Sequence, residues 1–392
     1  QLAIYGFFGA VLATEMGELG VDLAWWVWVL AAWAVVMALS LVSVDIGAKV
    51  LGLLMLLELL SLALVGVAVF VRGGPEGVDL AASFAPANVF AGGFAGSAGI
   101  ALAFAFASFI GFEATAIYGE ETRDPKRSVP RATYLSVGLI AGIFTFTSLA
   151  VVTGLGASVV VERVAEISSV DGVPLADPAA VLYAVAEEYV GPWLSTTMRW
   201  LVISSLFAGL LAFQNSAARY FFAMGRAGVL PTRLDHVNRR SAPGVAAATT
   251  SAITLAVILL FVILDRDPVL NLFYWGSGMA VIAIVVTEIL VSLAIVAYFR
   301  RERTDTRPWN TLVAPILAAL GLAAGLYLLM SRFALLAGTA AEGSDPTTTA
   351  WALSTTGWVL VLLPFATFVV GVIVGVARQR RENVDAVADL VT

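Results

Sequence analysis

Cysteine is absent and histidine occurs once, at His236. No disulfide framework, thiolate nucleophile or cysteine-held metal is therefore available, and a single imidazole cannot build a histidine metal site. The strings HExxH, GxSxG and GxxxxGK are missing as well, which removes zinc hydrolases, serine hydrolases of the elbow type and phosphate-cradling loops. Charge is scarce: Asp, Glu, Lys and Arg make up 13 % of the 392 residues, against 60 % hydrophobic. A soluble chain carries about a quarter charged residues and roughly half apolar ones. The surplus of apolar side chains, with a mean hydropathy of +0.93, has no interior large enough to hide it, so the solvent of this chain is lipid. The net charge of -6 gives no ground for a nucleic-acid partner, because in a membrane protein what counts is which loops hold which sign.

A hydrocarbon layer about 30 Å thick needs about 20 apolar residues in a helix. Runs of that kind, bounded by charged or Pro/Gly-rich breaks, are Trp25 to Val44, Val50 to Val71, Ala95 to Tyr118, Ala132 to Leu155, Leu194 to Met224, Val245 to Leu264, Leu270 to Phe299, Val313 to Phe333 and Trp351 to Val376. Gln1 to about Ala13 is apolar but too short to cross, and the chain starts with glutamine. It is expected to be the second half of a spanning helix whose beginning is missing. The fold expected is all-α and polytopic, with an N-terminal truncation.

Orientation follows from the basic residues. One set of alternate loops holds Lys49, Arg123, Lys126, Arg127, Arg131, Arg226, Arg233, Arg239, Arg240, Arg300, Arg301, Arg303, Arg307, Arg378, Arg380 and Arg381, and the other only Arg72, Arg163, Arg266 and Arg332. The rich side is expected to be cytoplasmic, with the C-terminus inside. Acidic residues gather in the long loop from Gly156 to Pro192 on the opposite side. Arg199 and Arg219, inside spans, are expected to snorkel to the nearer surface. Trp25, Trp26, Trp193, Trp351 and Trp358 lie near outer span ends and Trp309 near an inner one, as interface anchors do.

Glycines spaced four apart, Gly138 and Gly142, Gly321 and Gly325, Gly371 and Gly375, are candidates for close helix approach. In the long outer loop Ala179 to Glu188 is amphipathic and is expected to be a helix lying on the surface, either a gate or an ordinary solvated loop helix.

Chemistry is sought where polarity is expensive. A charge at mid-bilayer costs about 2.5 to 3.5 kcal/mol on insertion scales, so ionisable groups inside spans are functional candidates. Glu58, Glu113 and Glu288 qualify. A desolvated carboxyl with no fixed cation beside it is biased toward holding its proton, which suits a proton carrier; a protonated structural glutamate is the alternative for each.

The segment from Phe104 to Thr133, FAFASFIGFEATAIYGEETRDPKRSVPRAT, is an apolar helix carrying Ser108, Gly111 and Glu113, followed by an abrupt polar loop with Pro125 and Pro130. Glycine beside an intramembrane carboxylate is what a helix needs if it is to unwind there, since freed carbonyls must then find a cation or a polar solute. Broken helices of this kind hold substrate near the midplane in secondary transporters. An unbroken helix with a glycine contact is the alternative.

The stretch GFEATAIYGEETRDPKRSVPRAT, Gly111 to Thr133, resembles the sixth helix and following cytoplasmic loop of amino acid permeases of the amino acid, polyamine and organocation superfamily. FQNSAARYFFAMGRAGVLP, Phe213 to Pro231, is similar to the end of their eighth helix, and QLAIYGFFGA to their third. The resemblance implies an inverted-repeat transporter fold of five plus five helices with two more at the C-terminus. Residues 1–71 would be the remainder of the first repeat (half of helix three, helices four and five), 95–299 the second repeat (helices six to ten), 309–377 helices eleven and twelve, and 378–392 a cytoplasmic tail. Helices one and two, with half of the substrate site, would lie outside this chain.

Carried over residue by residue, the resemblance implies that carbonyls around Phe106, Ala107 and Ile110 accept a substrate ammonium, beside Gly111. Ala107 and Ser108 would shape the pocket. Where relatives have a large aromatic closing over substrate, Ala107 is small between Phe106 and Phe109. Glu113 would tie the unwound segment to adjacent helices. Glu58 falls in the fifth helix where some proton-coupled relatives carry a lysine. Sodium coupling in this fold uses hydroxyls on the eighth helix, but FAGLLAF, Phe207 to Phe213, has none, so protons are expected rather than sodium. ELLSLALVGVAVF from Glu58 and EILVSLAIVAYF from Glu288 look alike, either as paired proton sites of the two repeats or through shared composition.

The expected function is a proton-coupled secondary transporter of amino acids or polyamines in a prokaryotic plasma membrane. Its partners would be the solute, the proton and the bilayer, and no cofactor or enzymatic reaction is expected. An amino acid exchanger, or a non-transporting paralogue or sensor, is the alternative.

Overall fold

The computed structural model describes residues 1–41, 45–89, 101, 104–106, 108–117, 119, 122, 124–170, 173–174, 177–238, 242–302 and 305–379. In chain order its main helices are α1 (Leu2–Glu18), α2 (Trp25–Ser40), α3 (Asp45–Arg72), α4 (Pro125–Leu155), α5 (Ala180–Tyr189), α6 (Pro192–Arg226), α7 (Gly244–Ile263), α8 (Tyr274–Glu302), α9 (Ala314–Ser331) and α10 (Thr355–Gln379). Helix is what lipid demands, because it satisfies every backbone group within its own segment. Among the described residues the strands are a two-residue pair, Ser169–Val170 with Val173–Pro174. Among the described residues seven helical segments are long and apolar enough to cross a membrane, which makes the chain an all-α, multi-pass membrane protein.

Several boundaries differ from the sequence reading for local reasons. α4 starts at Pro125, seven residues ahead of the expected Ala132, because proline at the first position of a helix gives up no bond that the helix needs. At about 1.5 Å per residue its 31 residues exceed the thickness of the hydrocarbon layer. The segment from Leu270 also begins early, as a wide turn at Pro268–Phe273 running into α8. Asp267 caps it: its Oδ1 accepts from the Val269 and Leu270 amides at 2.8 and 2.6 Å, and Asn271 Oδ1 accepts the Asp267 amide at 3.0 Å. That reciprocal pairing works as a capping box does, with the returning side chain one position later.

By internal contact the chain forms two compact units, one containing Gln1–Ala85 and Phe112–Phe273, the other Pro86–Gly111 and Tyr274–Val374. The first has two apolar cores. One joins Tyr5, Phe8, Val29, Val36, Leu210 and Ile258, and the other Val65, Val69, Leu155, Tyr183, Val185 and Met198. The core of the second unit is built from Val281, Ile282, Val285, Leu329, Phe333 and Val361. In that unit Trp351 stacks on Trp358 and meets Tyr327 edge-on, at 5.9 Å in each case. The helices turn large apolar side chains outward, Leu53, Leu60, Val67 and Ile373 among them. Polar groups turn inward: Gln214 is fully buried, its Nε2 donating to Ala247 O at 2.9 Å and Thr250 Oγ1 at 3.0 Å, while Trp33 Nε1 donates to Ser251 O at 3.0 Å. In lipid such bonds, with close packing, hold helices together.

Of the six glycines paired by spacing, Gly325 alone marks a close contact among the described residues. Among the described residues a methyl group added at Gly138, Gly142, Gly321, Gly371 or Gly375 would meet no atom within 4 Å, and at Gly325 it would meet the Phe106 ring. Close backbone approach occurs instead at Gly6, against the Pro268 carbonyl. Spacing says which residues share a helix face and not which face meets a neighbour. Gly6→Ala would drive a methyl into a main-chain oxygen that cannot rotate away. Such overpacking costs about 1–3 kcal/mol, so detergent-solubilised Gly6→Ala protein should lose its monodisperse fraction at a lower temperature than Gly138→Ala protein.

The helix expected to lie on the surface in the long loop is instead packed inside. In α5, Tyr183, Val185, Ala186 and Tyr189 are buried, against α3, α4 and α6. Tyr189 Oη reaches Gly154 O at 2.8 Å. Its apolar side is wide enough to face several helices at once, which its alternation with Glu187 and Glu188 conceals.

Candidate functional site

The helix around Phe104 to Phe106 ends in turn at residues 109–113 and resumes as a short helical stretch at Ala114–Ile117. Through the turn the backbone bonds span three residues: Phe109 N to Phe106 O at 3.2 Å, Thr115 N to Phe112 O at 3.4 Å and Ala116 N to Glu113 O at 2.9 Å. Gly111 has φ +113°, and among the described residues nothing lies within 4 Å of the position of a Cβ. Glycine is required here by the backbone and not by crowding, since φ in this region is rare for any residue with a side chain. The break expected from Gly111 and Glu113 is therefore present at that position.

Of the residues expected to receive substrate, Phe106 and Ser108 sit on the helical end before the break, Ile110 lies in the turn itself, and Ala107 lies outside the described residues. The Phe106 ring rests against Gly325. Ser108 Oγ donates to Phe104 O at 3.0 Å, the usual way a helical serine is satisfied within a membrane. Ile110 packs against the core of its own unit. Glu113, on the far side of Gly111, interacts electrostatically with Tyr220 of α6. A tie between the resumed turn and the adjacent α4 is made by a residue that no sequence pattern singles out: Thr115 Oγ1 and Thr133 Oγ1 are 2.6 Å apart.

Glu58, half-buried on α3, shares a hydrogen bond with Ser205 of α6. Glu288, half-buried on α8, belongs to the other unit. Arg199 does not snorkel. Its Nη1 meets Glu15 Oε1 at 3.1 Å, with the glutamate side chain only 5 % exposed. Its guanidinium carbon lies 4.8 Å from the centre of the Tyr183 ring. A carboxylate taken out of solvent needs a fixed cation, and 184 residues separate the two partners, so no local pattern announces the pair. Arg219, the other intraspan arginine, donates to Asn215 O at 3.3 Å on its own helix. Among the described residues no three acidic or imidazole groups converge as a metal site would require.

The all-helical chain, with several membrane-crossing segments, one interrupted helix and polar groups drawn inward, is a multi-pass membrane protein. Residues 2–361 match the amino acid permease family, and the chain belongs to it. It is similar to an uncharacterised transporter of Legionella pneumophila, 27 % identical over 218 residues, covering 54 % of this chain and 44 % of that protein. It is also similar to the Asc-type amino acid transporter 1 of Mus musculus, 29 % identical over 178 residues, covering 45 % of this chain and 31 % of the relative. With the vacuolar cationic amino acid transporter 2 of Arabidopsis thaliana it shares 25 % over 229 residues, 58 % of this chain and 31 % of the relative. The matched stretches thus span less than half the length of these relatives.

Proposed function

We propose that the protein is a secondary active transporter of amino acids or related organic cations, working by alternating access and driven by protons, in a prokaryotic plasma membrane with its C-terminus in the cytoplasm. The observation that carries this reading is the interruption at residues 109–113, centred on Gly111 with φ +113°, in a chain of the amino acid permease family. Peptide carbonyls at Phe106 and Ile110 would face the ammonium of the solute, and Ser108 its polar groups. A half-helix presenting its C-terminal carbonyl end to a cation uses the dipole in the favourable direction. Family membership and the names of the two amino acid transporters among the relatives support the substrate class.

Glu58 is the group proposed to take and release the coupling proton. Its hydroxyl partner Ser205 can donate to the carboxylate or accept from the acid, so both states have a partner. The whole protein in proteoliposomes, offered labelled alanine, serine, arginine and putrescine, should accumulate at least one of them when the outside is made acidic. Glu58→Gln should abolish the response to the pH gradient, a loss of about tenfold or more in initial rate. Uptake by the unaltered protein that ignores the gradient and requires sodium would reject proton coupling; failure to take up or exchange any amino acid or amine would reject the transporter reading.

A further inference from the structure

The hydroxyl pair between Thr115 and Thr133 has more acceptors than protons. Thr115 Oγ1, just past the break, reaches Phe112 O on its own segment at 3.1 Å. Thr133 Oγ1 reaches Val129 O on α4 at 2.9 Å, and the two oxygens lie 2.6 Å from each other. Each hydroxyl carries one proton, so two protons serve three contacts. With the pair joined, one hydroxyl donates across and the other to its own carbonyl. With the pair parted, each donates to its own carbonyl, and the number of bonds is unchanged. When Phe112 O gives up the hydroxyl it keeps the Thr115 amide, at 3.4 Å.

That equality matters inside a membrane, where a stranded polar group has no water to turn to. Gln214 Nε2 shows the opposite case: both of its acceptors on α7, Ala247 O and Thr250 Oγ1, would be lost together if α6 and α7 separated. The threonines can separate with nothing stranded. The packing around them is also light. Ala114–Ile117 has no buried residue, and the buried residues of α4 are Ala150, Thr153, Gly154 and Leu155, all at its far end. Ala150, the nearest of these, is about 26 Å from Thr133 along the helix axis. Elements with few buried apolar contacts are the ones that open most readily.

We propose that Thr115 and Thr133 form a latch that fastens the turn after Gly111 to α4 and releases it in each transport cycle. In the joined state the half-helix beyond the break is held against α4. On release the hydroxyls fall back on Phe112 O and Val129 O, and the half-helix is free to swing away from α4 as the solute passes. The proposal rests on the transport reading above and assigns a moving joint to the same interrupted helix.

Cysteine is absent from the chain, which supplies the test. Two sulfurs bond at about 2.05 Å, so oxygens 2.6 Å apart mark positions where a cysteine pair can close. The whole protein carrying Thr115→Cys with Thr133→Cys is reconstituted in proteoliposomes and oxidised with copper phenanthroline in air. Because Arg123, Lys126, Arg127 and Arg131 lie between the two positions, trypsin releases the joined peptides and measures the cross-link. Counterflow of labelled alanine, serine and arginine at equal pH should fall at least tenfold on cross-linking and return to within twofold with dithiothreitol. The two single-cysteine proteins should respond less than twofold to the oxidant. Counterflow within twofold in the cross-linked protein overturns the proposal, since the contact is then a fixed strut, and so does failure of the pair to cross-link. Thr115→Val with Thr133→Val keeps the shape and removes both hydroxyls. It should exchange solute at least as fast as the unaltered protein; a tenfold fall at an unchanged unfolding temperature would make the tie permanent and overturn the latch. If the unaltered protein exchanges none of these solutes, it is the transporter reading that fails, an outcome visible without any variant.

Discussion

Arg199→Ala should be the most destabilising single substitution argued from these contacts, costing about 3 kcal/mol or more. Removing one partner of a buried ion pair typically costs about 3–5 kcal/mol, because the other charge is left without a counter-ion in a medium that cannot solvate it. Glu15, at 5 % exposure, is such a charge, whereas the arginine side chain at 31 % retains some contact with its surroundings. The asymmetry makes a second comparison decisive. Glu15→Gln leaves Arg199 able to reach solvent and should cost distinctly less than Arg199→Ala. Exchanging both for leucine should recover most of the loss, since apolar replacement of a whole buried pair is often neutral or better. Thermal unfolding of the four proteins in one detergent measures all of this. Arg199→Ala protein as stable as the parent would show that the pair contributes nothing.

Gly111→Val should have the largest effect on activity with little effect on assembly. Among the described residues nothing lies within 4 Å of a Cβ at Gly111, where φ is +113°, so the penalty counted is backbone strain, about 1–3 kcal/mol for an ordinary residue and more for a branched one. A tenfold change in an equilibrium corresponds to about 1.4 kcal/mol. If substrate needs the interrupted form, uptake at limiting substrate should fall between tenfold and a hundredfold as the segment closes toward continuous helix, which valine favours in lipid. Gly111→Ala should fall between valine and the parent. Equal uptake by all three would show that the break is not needed for transport.

How much of this could be read in advance depends on the range of the interaction. Hydropathy runs located α6, α7 and α9 to within a few residues, because a helix in lipid is recognised from its own length and composition. The interruption was legible for the same reason: Gly111 beside Glu113 is a local contradiction inside an apolar run. Helix starts were missed where proline permits an extra turn, as at Pro125. Partnerships were missed altogether. Nothing near Arg199 in sequence points to Glu15, nothing near Thr115 to Thr133, and the pattern of α5 suggested water where the fold supplies three helices. The glycine pairs, Gly325 apart, erred in the opposite sense, since a periodic motif gives a face and only the packing gives it a neighbour. Of the candidate site, the residues before and after Gly111 could be named from the chain, whereas Ser205 acquires meaning only when α6 is placed against α3 and its hydroxyl meets Glu58.

The amide of Gln214 has a final implication for how the protein can change shape. Its bonds to Ala247 and Thr250 fasten α6 to α7, and the bond from Trp33 to Ser251 fastens α7 to α2. Turning any of these rods by one residue, about 100°, would strand donors and acceptors in hydrocarbon at several kcal/mol apiece. The three are geared together, so whatever rearrangement accompanies a working cycle must carry them as a single block, with its slippage planes elsewhere.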